Sequence, residues 1–139
     1  MTRPRKAKAS VLEIARGQYT RSEKEEERRC DDLILGAGGE AVHFSQARAS
    51  KQTPGIPDRR YRVRGVAFWW EVKAEDGQLT RDQYHFLMRE RHAGCLGGCG
   101  TSEDLVKVLT CKPGDIPLEL IASVVQWATR GFRGEKRMA

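Results

Sequence analysis

Residues 59–73, Arg-Arg-Tyr-Arg-Val-Arg-Gly-Val-Ala-Phe-Trp-Trp-Glu-Val-Lys, constrain the fold more than any other part of the chain. They hold two runs, about Arg59 to Val63 and Val66 to Lys73, separated by Arg64-Gly65. Runs rich in β-branched and aromatic residues, broken by two residues that include glycine, predict a β-hairpin. If Val63 pairs with Val66, the ladder continued to its end sets Asp58 opposite Glu71. Facing residues of an antiparallel pair project to the same side, with Cβ atoms about 4.5–5.5 Å apart. Side chains alternate along a strand, so Lys73 and Trp69 share that side, while Val66, Phe68, Trp70 and Val72 form an apolar side. Pro57 ends the pairing just beyond Asp58, because it has no N–H to donate. A three-residue loop would slip the register and undo the juxtaposition.

Two carboxylates this close repel one another, and a lysine two residues away compensates only in part. A hard divalent cation compensates better, and Mg²⁺ is typically held by one or two carboxylates plus waters and phosphate oxygens. Such an ion activates water and polarises a phosphodiester, while a neighbouring ammonium steadies the water or the developing charge. The bland alternative is a solvated hairpin with a cross-strand acid pair and a salt-bridging lysine. The bare pattern leaves both open.

The flanking segments predict a mixed α/β domain. Ser10-Val11-Leu12-Glu13, Ser22-Glu23-Lys24-Glu25 and Thr80-Arg81-Asp82-Gln83 each have the form of a capping box that opens a helix. The second helix should run to about Leu35, where Gly36, Gly38 and Gly39 stop it, and the third should end at Gly94. On the second helix Cys30, Leu33 and Ile34 form the apolar stripe; Glu23 and Glu26 project onto it, Glu27 sits at its margin and Glu25 points away. Short strands are expected over Ala41–Phe44 and about Cys95–Gly100, a loop over Ser45–Pro57, and helical stretches from Ser102 and over Pro117–Trp127. Residues 1–21 read as a basic arm with a short helix, and residues 22–139 as one domain, a reasonable size for a single core.

The 25 Lys and Arg residues against 19 Asp and Glu give a net charge of +6, which suits a polyanionic partner but equally a solvated surface. No apolar run approaches the roughly 20 residues of a membrane span. The start, Met-Thr-Arg-Pro-Arg-Lys-Ala-Lys-Ala-Ser, lacks the apolar centre of a signal peptide, so a cytoplasmic protein with four reduced cysteines is expected.

Gly55-Ile56-Pro57-Asp58, Glu71-Val72-Lys73, Gln83 early in the next helix and His92-Ala93-Gly94 follow one another in an order and spacing that resemble the VRR-NUC branch of the PD-(D/E)xK nucleases. The likeness covers about Ser22 to Val108. It implies a restriction-endonuclease-like fold, a mixed β-sheet flanked by helices, and hydrolysis of DNA phosphodiesters with Mg²⁺ or Mn²⁺. On this resemblance Asp58 and Glu71 are metal ligands, Lys73 acts on the attacking water, and Gln83 is a catalytic residue, a role that competes with its use as the capping partner of Thr80. The family also has an acidic residue on its first helix. An ungapped match through Gly38 and the strand Glu40–Phe44 points to Glu23, with Glu26, one turn on, as the rival. Small stand-alone relatives are phage-encoded, dimeric and directed at branched DNA, so a Holliday junction is the leading substrate and a homodimer the expected assembly. The alternative is a non-catalytic nucleic-acid-binding or phage assembly protein that retains the fold. Arg48, Lys51, Arg60 and Arg62 are the candidate DNA contacts, positioning the duplex without reading its sequence.

Other residues invite weaker readings. His92, Cys95, Cys99 and Cys111 could be written as a zinc quartet, which makes a zinc-stabilised interaction domain a second alternative, but the spacing is loose and free cysteines commonly behave as small apolar residues. Trp69 could wall the site or stack on a base, but packing is the simpler use.

Overall fold

The computed structural model describes residues 20–44 and 54–135. The helix expected after Ser10 and the candidate contacts Arg48 and Lys51 lie outside the described residues.

In chain order the elements are α1 (Glu23–Gly36), β1 (Glu40–His43), β2 (Arg59–Val63), β3 (Val66–Val72), α2 (Arg81–His92), β4 (Gly97–Gly100), α3 (Ser102–Thr110), a 3₁₀ turn (Pro113–Asp115) and α4 (Ile116–Ala128). The strands form one mixed sheet in the order β1-β2-β3-β4, antiparallel except for the parallel pair β3–β4. The expected strand at Cys95 starts two residues later, at Gly97, because the Cys95 N–H is held at the end of α2 by Glu90 O at 2.8 Å. No described helix is long and apolar enough to cross a membrane.

Val63 pairs with Val66 and Arg59 with Trp70, the register of a two-residue hairpin loop. Arg64 and Gly65 both have positive φ (55° and 76°), the backbone of a type I′ turn whose twist matches that of the strands. A cross-strand aromatic pair supports this register, Tyr61 meeting Phe68 edge-on at 5.9 Å between ring centres, and Trp70 meets Phe68 edge-on along β3 at 6.3 Å.

Each face of the sheet carries its own core. On one, Tyr61, Phe68, Trp70 and Val72 pack with Cys30 and Ile34 of α1, Leu105 and Val108 of α3, and the start of α4. On the other, Trp69 and Cys99 pack with Leu79, with Phe86 and Leu87 of α2, and with Val124 and Trp127 of α4. Helix α4 thus serves both cores and covers the β4 edge, where Ser123 Oγ accepts the Cys99 N–H at 3.2 Å. Each large apolar side chain so buried contributes roughly 1.5–3 kcal/mol.

Candidate metal centre

The functional candidates converge where β2 and β3 end. One step beyond the Arg59–Trp70 pair, the register brings Asp58 opposite Glu71, and the Phe44 N–H donates to Asp58 O at 2.8 Å, fixing the backbone there. Lys73 follows β3, and its N–H donates to Gly100 O at 2.9 Å. Its Nζ lies 3.8 Å from Glu71 Oε1, as alternation along β3 requires. Gly55, at φ +80°, lies against the backbone of Asp82 and Gln83, where a Cβ would overlap Asp82. Only glycine lets the Gly55–Asp58 segment close on the start of α2.

Gln83 joins the helix cap to the cleft. Thr80 Oγ1 accepts the Gln83 N–H at 3.1 Å, and Gln83 Oε1 accepts the Thr80 N–H at 2.8 Å. That second bond fixes the amide orientation and turns Nε2 to donate to Glu71 Oε1. The capping and cleft roles that compete for Gln83 in the sequence use opposite ends of one amide.

The three glutamates of α1 separate. Glu23 and Glu27 line the cleft with Asp58, Glu71, Lys73 and Gln83, around a volume of about 360 Å³. Glu26, the rival to Glu23, is directed elsewhere. It is 3 % exposed, accepts the Ser102 N–H at 2.5 Å at the start of α3, and lies 3.6 Å from Arg21. A carboxylate there satisfies N–H groups left open by the helix end and complements its dipole. Glu27, placed by the sequence only at the margin of the apolar stripe, is the cleft residue that sequence reasoning missed. The available signal was Glu23, Glu27 and Asp31 at successive fourth positions, an acidic stripe beside the apolar one.

Arg59 knits that stripe to the hairpin. Its guanidinium lies 2.9 Å from Asp31, 3.2 Å from Asp58 and 3.7 Å from Glu27, and Tyr61 Oη also donates to Asp31, at 2.7 Å. Alternation sends Arg59 to the opposite face from Asp58, yet the long side chain reaches back around the strand end. His43 Nε2 lies 3.0 Å from Asp31.

Burial pushes the Glu71 carboxyl up to about 8. Lys73 pulls it down, while Asp58, Glu23 and Glu27 push it further up. Burial likewise raises Glu27, opposed by Arg59 and reinforced by Asp58, Glu23 and Asp31. A divalent cation would remove this penalty. Among the described residues no three carboxylate, imidazole or thiol side chains already stand as a ligand group. Asp58 is turned onto Arg59, and Glu71 onto Gln83 and Lys73. The carboxylate donors are hard oxygens in an open, polar cleft, so the set fits Mg²⁺ or Mn²⁺ that the Asp58–Glu71 pair and water would hold, with Glu23 and Glu27 lining the same cleft.

The remaining candidates fall outside the cleft. Arg60 lies over the Trp69 ring at 4.9 Å, and Arg62 is exposed further along β2. Trp69 is packed between Phe44 and Phe86 and donates Nε1–H to Glu90 at 2.5 Å, so it is committed to the core. Cys99 is buried, with its thiol 3.7 Å from Ser123 O. A larger cavity of about 470 Å³ between α2 and α4 has no carboxylate in its lining and offers apolar side chains instead. Searches against protein-family models, curated proteins and solved structures return no match for the chain.

Proposed function

We propose that this chain is a Mg²⁺- or Mn²⁺-dependent DNA endonuclease with a restriction-endonuclease-like core. The observation that carries this reading is Glu71, a buried carboxyl raised to about 8, crowded by Asp58, Glu23 and Glu27 and flanked by Lys73 and Gln83. A surface hairpin has no use for such a cluster, because each added carboxylate raises the electrostatic cost of the others. Strongly perturbed acids in a cleft mark functional sites more often than structural ones.

Asp58 and Glu71 would hold the metal, and Glu23 and Glu27 line the rest of the acidic wall. When bound, the metal supplies Lewis-acid polarisation of the phosphate and a lowered pKa for water. Lys73, 5 % exposed, holds its ammonium beside Glu71 and orients the attacking water by hydrogen bonding. Gln83 keeps Glu71 in one rotamer through its Nε2 donor. Arg59 lies 3.2 Å from Asp58 and would release it to a metal ion of higher charge. Branched DNA, with the Holliday junction first, is the proposed substrate, and Arg60 and Arg62 are the proposed backbone contacts beside it.

Cleavage of labelled duplex, flap, fork and four-way junction DNA with Mg²⁺ or Mn²⁺ tests this reading. Wild-type protein should cut at least one substrate in a metal-dependent way, and Asp58→Ala should lose about 10²–10³-fold or more. Undiminished cutting by Asp58→Ala, or no cutting of any substrate, would overturn it. Tight binding to the same DNAs without cutting would instead support the non-catalytic alternative.

A further inference from the structure

The cleft poses an electrostatic problem for a nuclease. Five carboxylates and two cations line it, Glu23, Glu27, Asp58, Glu71 and Asp82 against Lys73 and Arg133. Lys73 is buried, with its ammonium 3.8 Å from Glu71, so its charge is already engaged inside the cleft. Arg133 is the exposed cation of this lining. Among the described residues no carboxylate pairs with it. It also borders an adjoining cavity of about 270 Å³ that it shares with Glu23, Lys73 and the turn Asp76–Gln78. Arg133 therefore borders both hollows.

The segment carrying Arg133 is fastened in place. Its own N–H donates to Leu79 O at 2.8 Å. Before it, Gln78 Nε2 donates to Arg130 O at 3.0 Å, and Arg130 Nη1 donates to Glu75 O at 2.6 Å. After it, Arg81 donates twice to Glu135, at 2.5 and 2.8 Å, in the bidentate geometry that fixes direction as well as distance. The Arg81 guanidinium also lies 4.8 Å from the Phe132 ring, which packs on Tyr84. Both flanks of Arg133 are thus tied to the loop and helix start that carry Lys73 and Gln83. Such ties hold the arginine over the cleft with its side chain free to engage an anion.

We propose that Gly131–Glu135 forms part of the substrate site, with Arg133 binding a backbone phosphate of DNA lying across the cleft and the Arg81–Glu135 pair holding it there. The choice of DNA rests on the nuclease reading; the anion-binding role rests on Arg133 itself.

Anisotropy of a fluorescein-labelled four-way junction and of a matched duplex, measured with Ca²⁺ over about 50–200 mM NaCl, tests this. Arg133→Ala should weaken binding roughly five- to tenfold at the middle of that range. It should also reduce the magnitude of the salt slope by about 0.9, the signature of one lost phosphate contact. Arg133→Lys should keep the slope. Glu135→Gln, which leaves the Arg133 charge in place but neutralises the carboxylate that Arg81 grips, should weaken binding less with the slope unchanged. Arg133 is exposed, so the thermal midpoint should stay at the wild-type value in each Arg133 variant. Unchanged affinity and slope in Arg133→Ala would overturn the inference, even if the wild type cuts DNA. Binding that depends on Arg133 in a chain that cuts nothing would sustain it while the endonuclease reading failed.

Discussion

Glu26 and Glu71 are both buried glutamates, and their surroundings are opposite. Glu26 is met by the Ser102 N–H and by Arg21, at the start of a helix whose dipole favours negative charge. Glu71 has one ammonium and one amide nearby; burial raises its pKa to about 8, and the three carboxylates that crowd it add to the rise. A carboxylate surrounded by donors needs nothing further and ties α1 to α3. One surrounded by other carboxylates is incomplete until a cation arrives. Burial alone does not separate structure from function here; the sign of the neighbouring charge does.

Crossing the two substitutions gives the largest expected effects. Glu71→Gln should abolish metal-dependent cutting, by roughly 10³-fold, while leaving the metal-free protein as stable as before or more so, because a neutral amide relieves the crowding. Glu26→Ala should do the reverse. It leaves the Ser102 N–H buried without an acceptor and should cost about 1–3 kcal/mol in urea unfolding, with cutting per folded molecule near wild type. Loss of cutting in folded Glu26→Ala, or large destabilisation by Glu71→Gln, would break the contrast.

The same contrast predicts how the metal-free protein responds to pH. The folded pKa of Glu71, about 8, lies above the ordinary carboxyl value of 4.5. Below about pH 4.5 the group is protonated whether folded or not, and its contribution to stability is fully present. Between 4.5 and 8 the unfolded chain sheds the proton while the folded chain retains it, so stability falls as pH rises and levels off above about 8. The loss over that window should be on the order of 5 kcal/mol for this group, and Glu71→Gln should remove it from a pH series of chemical unfolding curves. Mg²⁺ should bind with release of about one proton near neutrality, seen as buffer-dependent heats in calorimetry. A metal-free stability that rises from pH 5 to 8, equally in wild type and Glu71→Gln, would count against the raised pKa.

The hairpin was readable from sequence because local chemistry dictates it: Arg64-Gly65 accepts the positive φ of a two-residue turn, and the alternation of Phe68 and Trp70 with Trp69 and Glu71 fixes the faces. Once that register holds, Asp58, Glu71 and Lys73 come together without knowledge of the rest. The α1 acids were less readable, because a helical projection gives directions around an axis and not where the axis lies. The projection puts Glu23 and Glu26 on one stripe; in the folded chain α1 buries Glu26 against α3 and turns Glu23 and Glu27 toward the hairpin end. Arg133 was harder still. Its place depends on the Arg81–Glu135 pair and the Leu79 backbone, contacts across more than fifty residues that no local pattern encodes.

Gln83 lies between the two extremes, since one amide serves both helix and cleft, and two substitutions can divide its roles. Thr80→Ala removes the hydroxyl that accepts the Gln83 N–H but leaves the Thr80 N–H to Gln83 Oε1 bond, so the amide keeps its aim at Glu71. It should cost about 1 kcal/mol of stability, as for a lost N-cap, with cutting near wild type. Gln83→Ala removes the amide that accepts from Thr80 and holds Glu71. It should cost a similar amount of stability and lower cutting about tenfold, with a weaker apparent affinity for Mg²⁺ because Glu71 is no longer held in one rotamer. Metal titrations of cutting on the two variants, set beside their thermal midpoints, make the comparison. Equal losses of cutting at equal losses of stability would assign Gln83 to the helix cap alone; a metal-affinity defect confined to Gln83→Ala would place it with Glu71.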